Sequence, residues 1–179
     1  GVLAQVPQSE KDALLALYNS TNGAQWHSTV NGAGWDFSTD VTSTWWGITV
    51  NNGHVTNITL RRNNLQGTIP PEIGDFPNLT VLLLDNYGSP TLPINNLTGT
   101  LPSEIGNLSS LSALEIDGND MSGNLPQELS QLENLNTFTI EHNNFEGDLP
   151  NMSASFSGSS ASSRFVISDN KFRFIDIEE

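Results

Sequence analysis

No cysteine occurs anywhere in the chain. A disulfide framework, a thiolate metal site and a cysteine nucleophile are therefore all excluded. Positive charge is nearly as scarce, with six Lys and Arg against twenty Asp and Glu and a formal charge of −14. The six are clustered as Lys11, Arg61, Arg62, Arg164, Lys171 and Arg173, and none falls from Asn63 through Ser163, a stretch holding twelve carboxylates. Such a surface repels nucleic acid and anionic membranes. No apolar run reaches the roughly 20 residues that a membrane-spanning helix needs. A Gly-rich phosphate loop leading into a helix is also missing, and His27, His54 and His142 lack metal-ligand spacing, so no metal site is assigned.

What the chain has instead is a 24-residue period. Written from its first apolar position it reads L-x-x-L-x-L-x-x-N-x-L-x-G-x-I/L-P. Val55 to Asn78 follows it through Ile58, Leu60, Asn63, Leu65, Gly67, Ile69 and Pro70. Leu111 to Asn134 follows it through Leu114, Ile116, Asn119, Met121, Gly123, Leu125 and Pro126. A second unit opens at Leu79 and resumes at Asn95 after an eight-residue insertion, residues 87–94, YGSPTLPI. A fourth starts at Leu135 and dissolves into a Ser/Gly/Ala stretch near Ser153 to Ser163. A partial fifth follows in Phe165, Ile167, Asn170 and Phe172. A fixed period of this length marks a solenoid whose units bury a core only by stacking.

Each repeated position has a physical task. Alternating apolar residues, such as Ile58 and Leu60, predict a short strand with one face buried. Asn63, Asn95, Asn119, Asn143 and Asn170 should turn inward and bond backbone groups of adjacent coils. Gly67, Gly99, Gly123 and Gly147 suit positions that a side chain would obstruct. Each proline should open an irregular outer arm. Before the repeats, Ser9 to Asp12 forms a potential capping box for a helix over Ser9 to Asn19, with Leu14, Leu17 and Tyr18 as its apolar stripe. Asn52-Gly53 predicts a tight hairpin into the first repeat strand.

The motifs NNLQGTIPPEIG and NNLTGTLPSEIG resemble the plant-type leucine-rich repeats over about residues 55–172. The segments DALLALYNSTNGAQW and WWGITVNNGHVTNITL resemble that family's N-terminal cap. The resemblance implies an α/β solenoid, right-handed and curved, with a concave parallel sheet and an irregular or 3-10 convex side. Its parts are a helix-plus-hairpin cap over residues 1–54, four units over 55–161, and a partial repeat or exit over 162–179, together one structural domain. Plant caps bracket the second segment with two cysteines, where Ser43 and Val50 stand here. The resemblance therefore implies a bacterial secreted or cell-surface relative with a cysteine-free cap, held by Trp26, Trp35, Trp45 and Trp46. Gly1 to Gln5 resembles the tail of a signal peptide. NKFRFIDIEE looks like the exit into a following module. N-x-S/T sequons at Asn19, Asn57, Asn78, Asn96, Asn107 and Asn151 follow largely from the repeat itself.

Strand geometry gives the candidate binding residues, because equivalent side chains line up in columns across the sheet. One column reads Arg61, Asp85, Asp117, Glu141, Ser168; the next reads Arg62, Asn86, Gly118, His142, Asp169. A third, between the apolar pair, reads Thr59, Leu83, Glu115, Thr139, Val166. Like charges about 4.8 Å apart either strain the face, with Arg61 balancing one end, or invite a cationic partner or calcium. In the insertion, Tyr87 is an amphipathic anchor and Pro90 and Pro93 stiffen the loop. The binding candidates are Arg61, Arg62, Asp85, Tyr87, Glu115, Asp117, Glu141 and His142. His142 beside Glu141 and Asp117 could imitate an acid/base cluster, but a smoothly curved sheet offers it no pocket. The expectation is a non-catalytic recognition domain with no required cofactor, contacting a protein or glycan. The alternatives are an inhibitor of a secreted hydrolase and a calcium-, ice- or mineral-binding adhesin. Ice binding would need regular Thr columns, and Thr56, Thr59, Thr80, Thr137 and Thr139 are scattered.

Overall fold

The structure, a computed structural model, describes residues 5–32, 34–156 and 163–173. The signal-like start at Gly1 to Ala4, part of the Ser/Gly/Ala stretch and the last six residues of the exit segment lie outside that range. The period is realised as stacked coils. Strands His54–Thr59, Val81–Leu83, Ala113–Glu115, Thr137–Thr139 and Arg164–Val166 pair in parallel. Their register sets Ile58, Leu82, Leu114, Phe138 and Phe165 side by side. Ile48–Asn51 closes the N-terminal edge as the antiparallel arm of the hairpin turned by Asn52 and Gly53. Most Leu, Ile and Phe at the repeat positions of the first four units are buried in one core running from Val6 to Met152, whereas Leu149, Ile167 and Phe172 are partly buried and Phe165 is exposed. Stacking is thus what removes the apolar faces from water.

A second parallel sheet was not anticipated. Gln66–Gly67, Asn96–Gly99, Asp120–Asn124, Asn144–Gly147 and Lys171–Phe172 pair in that order, between the ladder asparagines and the prolines. Each strand is two to five residues long with its partner a full coil away, so local periodicity carries almost no signal for it. Beyond the prolines the convex side is built from 3-10 turns, Pro71–Asp75, Ser103–Asn107 and Gln127–Gln131. These turns stack closely. A Cβ on Gly74 would lie 2.5 Å from the Glu104 carbonyl oxygen, and one on Gly106 2.6 Å from the Glu128 Cβ.

The asparagine ladder is as expected. Asn95 Oδ1 accepts the N–H groups of Asn63 and Leu65, while its amide donates to the carbonyls of Leu60 and Leu84. Asn119, Asn143 and Asn170 repeat the arrangement one coil at a time. Asn63, on the first coil, accepts Ser28 N–H but leaves its buried amide nitrogen without a partner.

In the cap the helix spans Gln8–Ser20 and buries Leu14 and Leu17. The expected capping box does not form: Pro7 precedes the helix, Ser9 already lies in its first turn, and no side chain caps it. The helix is tied down instead by Glu10, which is buried, with Oε1 2.6 Å from His54 Nδ1 and Oε2 accepting Val55 N–H at 2.7 Å. Trp26, Trp35 and Trp45 are buried and Trp46 is half-buried. Trp26 meets Trp35 edge to face at 4.8 Å, and Trp35 stacks on Trp45 at 5.7 Å. Ser43 Oγ accepts Val50 N–H at 2.8 Å. Aromatic packing and this hydrogen bond hold the segment together.

Candidate functional site on the inner sheet

Five of the eight candidates meet in one groove of about 200 Å³: Tyr87, Glu115, Asp117, Glu141 and His142. Asn86, Gly118 and Arg164 complete its lining. These three were not singled out as site residues. Asn86 and Gly118 stand in the same column as His142, and a Cβ on Gly118 would lie 3.3 Å from the Asn86 Cβ. Arg164 is the first cation after the long uncharged-by-cations stretch, a signal present in the sequence but tied to no position until the strands are in register.

Arg61, Arg62 and Asp85 lie beside the groove and support it. Arg61 follows its strand and reaches across two coils. Its Nε donates to Asp85 Oδ1 at 2.7 Å and its Nη2 donates to Glu115. Asp85 is buried, and its second oxygen accepts Tyr87 N–H at 2.8 Å. The like-charge ladder is therefore relieved at this end, as Arg61 was expected to do. Partial burial pulls the Arg61 guanidinium down, but its hydrogen bond and charge pairing with Asp85, then Glu115, more than offset this and leave its pKa raised.

Further along, the carboxylates are held by neutral donors. Asp117 accepts the Thr139 hydroxyl at 2.5 Å and Glu141 N–H at 2.9 Å. Burial raises its pKa; those two hydrogen bonds oppose the rise, and the charges of Asp85 and Glu141 add to it. Glu141 accepts the Ser168 hydroxyl at 3.3 Å. His142 does not join these acids. The sheet was expected to offer His142 no pocket, yet this residue lines the same groove as Asp117 and Glu141. Its Nδ1 lies 3.0 Å from Asp169 Oδ2, with both side chains exposed, so its ion pair is made outside that acid cluster. Its backbone is left-handed at φ +54°, as are Arg62, Gly118 and Asp169 in the same column. The coil turns away from the sheet at that position.

Arg62 fastens the insertion. Its guanidinium donates to the carbonyls of Leu92 and Asn86 at 2.9 and 3.0 Å, and Nη2 lies 3.5 Å from that of Pro90. The Asn86 side chain closes the base of the loop, accepting Asn95 N–H and donating to the Asn95 and Gly118 carbonyls. On this clamped loop the Tyr87 side chain is 78% exposed.

Asp85, Glu115 and Asp117 bring carboxylate oxygens within 4.8 Å of one another, a donor set suited to a hard cation. Two of the three already hold the Arg61 guanidinium. A divalent ion there would have to displace an internal charge. A second hollow of about 430 Å³, lined by Leu149, Pro150, Met152, Phe156, Ser163 and Phe165, opens at the last coil and borders residues outside the described range.

Residues 54–76 match the Leucine Rich Repeat family. No match is found among curated proteins. Among solved structures the chain is similar to the leucine-rich-repeat ectodomain of the receptor kinase SOBIR1 from Arabidopsis thaliana. The two are 21% identical with a TM-score of 0.69, over 94% of this chain and 83% of that one. It is also similar to a plant ice-binding protein, at 23% identity and TM-score 0.74, over 94% of this chain and 50% of that one. A third likeness is to the PEPR1–AtPEP1 complex, at 22% identity and TM-score 0.69, over 93% of this chain and 25% of that one. The chain thus spans a quarter and a half of the length of two of these structures. Among the described residues no helix is long and apolar enough to cross a membrane. Stacked coils, matched repeat and structural likeness agree: the fold is a leucine-rich-repeat solenoid with a parallel inner sheet.

Proposed function

We propose that the chain is a non-catalytic recognition domain of a secreted or cell-surface protein, of bacterial origin, that binds a protein or glycan through its inner sheet and the 87–94 insertion. In this reading residues 1–54 cap the solenoid, 55–161 present the binding face and 162–179 lead out of it. The observation that carries the reading is Tyr87, an exposed ring on a loop clamped by Arg62 and Asn86 at the lip of the groove. An aromatic anchor that is already ordered loses little entropy on binding, and such residues dominate interface energies. The solved structure of PEPR1 with AtPEP1 is similar in fold, which supports a scaffold that binds a partner. Inhibition of a secreted hydrolase would be one form of the same activity. Ice binding gains no support from the inner threonines, since Thr139 is buried with its hydroxyl engaged by Asp117.

Protein and glycan arrays probed with the wild-type chain, Tyr87→Ala and a variant lacking residues 87–94, each with and without calcium, test this reading. A partner should bind the wild type, lose at least tenfold in affinity with Tyr87→Ala, and be indifferent to calcium. Partners that bind all three proteins equally would contradict it.

A further inference from the structure

Every coil of the stack but the last has another laid over it. Ile69, Leu101 and Leu125 are buried beneath the following coil, whereas Leu149, at the same repeat position, is only partly buried. Ile58, Leu82, Leu114 and Phe138 are fully buried, whereas Phe165, in register with them, is 44% exposed. The hollow of about 430 Å³ lies at these uncovered positions and is lined by both, with Pro150, Met152, Phe156 and Ser163. The sheet edge is open there too. Arg164 N–H donates to the Asn136 carbonyl and the Val166 carbonyl accepts Ile140 N–H. Phe165, between them, therefore turns its own N–H and C=O away from the sheet. At the opposite edge Ile48–Asn51 is blunted, with Ile48 N–H held by the Trp45 carbonyl and Val50 N–H by Ser43 Oγ. Three of the six cations sit on the last coil, Arg164, Lys171 and Arg173. None of them makes an ion pair among the described residues.

The repeat does not supply the missing cover. The spacing of Asn143, Phe145, Gly147, Leu149 and Pro150 continues in Asn170 and Phe172, and calls next for Gly, an apolar residue and Pro. Phe174, Asp176 and Ile177 stand at those positions. A carboxylate at the inward position would be costly to bury, so the sequence does not encode a fifth outer arm. Residues 174–179, FIDIEE, hold three apolar side chains and three carboxylates instead. We propose that residues 174–179 fold back across the end of the stack before leading out of it, their apolar side chains filling the hollow and their carboxylates meeting Arg164, Lys171 and Arg173. The segment starts at the end face, where Arg173 N–H bonds the Gly147 carbonyl, and six extended residues reach about 20 Å. Its carboxylates match the unpaired cations in number and oppose them in sign. Residues 157–162, SGSSAS, carry no large apolar side chain with which to fill the hollow. A second copy docked about a two-fold axis would set the same three cations against each other. The inference goes beyond the inner-face reading and holds whichever surface binds a partner.

The test is NMR of the full chain with labelled Ile, Met and Phe. Cross-relaxation should connect the Ile175 or Ile177 methyls with Met152 and with the Phe156 and Phe165 rings. Ile175→Ser/Ile177→Ser should erase these contacts, lower the melting temperature by roughly 5–10 °C and raise binding of a hydrophobic dye. Asp176→Asn/Glu178→Gln/Glu179→Gln should weaken the same contacts, as should salt at about 1 M with the wild type. Tail methyls that show no contact with the hollow would overturn the proposal, and so would an unchanged melt in the isoleucine variant. Contacts found only between differently labelled copies in a mixed sample would assign the end face to a second copy and overturn it as well.

Discussion

Asp117 combines partial burial with two hydrogen bonds and two acidic neighbours, and its net pKa lies above the ordinary value of 3.8. A carboxyl raised in the folded state favours folding while protonated. That contribution is present below the unfolded pKa and is lost as pH rises through the folded one; above it, the ionised group opposes folding. Asp117→Asn retains an acceptor for Glu141 N–H and offers Thr139 a donor. Thermal melts should place this variant at or above the wild type at pH 7, with the gap closing near the ordinary carboxylate pKa. A lower melting point at pH 7 would show that the hydrogen bonds outweigh burial and repulsion. Asp85, by contrast, is buried and held by the Arg61 guanidinium. Arg61→Ala strands a buried carboxylate and should cost about 3 kcal/mol in denaturant unfolding; a loss under about 1 kcal/mol would mean that water replaces the guanidinium. The columns containing these residues were legible in the sequence, since a 24-residue period and strand alternation fix them. The reach of Arg61 over two coils, and of Arg62 to three loop carbonyls, was not. Long side chains choose partners by three-dimensional proximity, which spacing does not encode.

At the scale of elements, the cap shows how the chain does without a covalent clip. Ser43 Oγ and Val50 N–H are hydrogen-bonded in a cap that also buries three tryptophans. Ser43→Cys/Val50→Cys should therefore cross-link on mild oxidation. Closing so short a loop should add about 2 kcal/mol to stability, read as the difference between oxidised and reduced melts. Failure to cross-link would mean that the two backbones are not aligned as in plant caps. The helix, hairpin and inner strands were readable because each shows a local pattern: an apolar stripe, an Asn-Gly turn, alternation. The second sheet was not, because its strands are too short to show a period. The capping box misled because Pro7 fixes the helix start two residues before Ser9, leaving Ser9 no free N–H groups to cap. The insertion announced its length but not its rigidity, which depends on Arg62 and Asn86 rather than on Pro90 or Pro93 alone.

For the whole molecule, the coils act as a ruler. Parallel register turns residues 24, 27 or 32 positions apart into neighbours, so Asp85, Asp117 and Glu141 on successive coils become one inner acidic column. The convex side is shaped by a different requirement, close stacking of 3-10 turns over Gly74 and Gly106. Division of labour between the two sides is the physical basis for assigning recognition to one of them. Hydrogen exchange with an array-identified partner, compared with the free chain, tests that assignment most directly. The account predicts new protection at residues 85–94, 115–118 and 139–142, with the convex turns 71–75, 103–107 and 127–131 unchanged. Protection concentrated on those convex turns, with the inner columns exchanging as in the free chain, would contradict it.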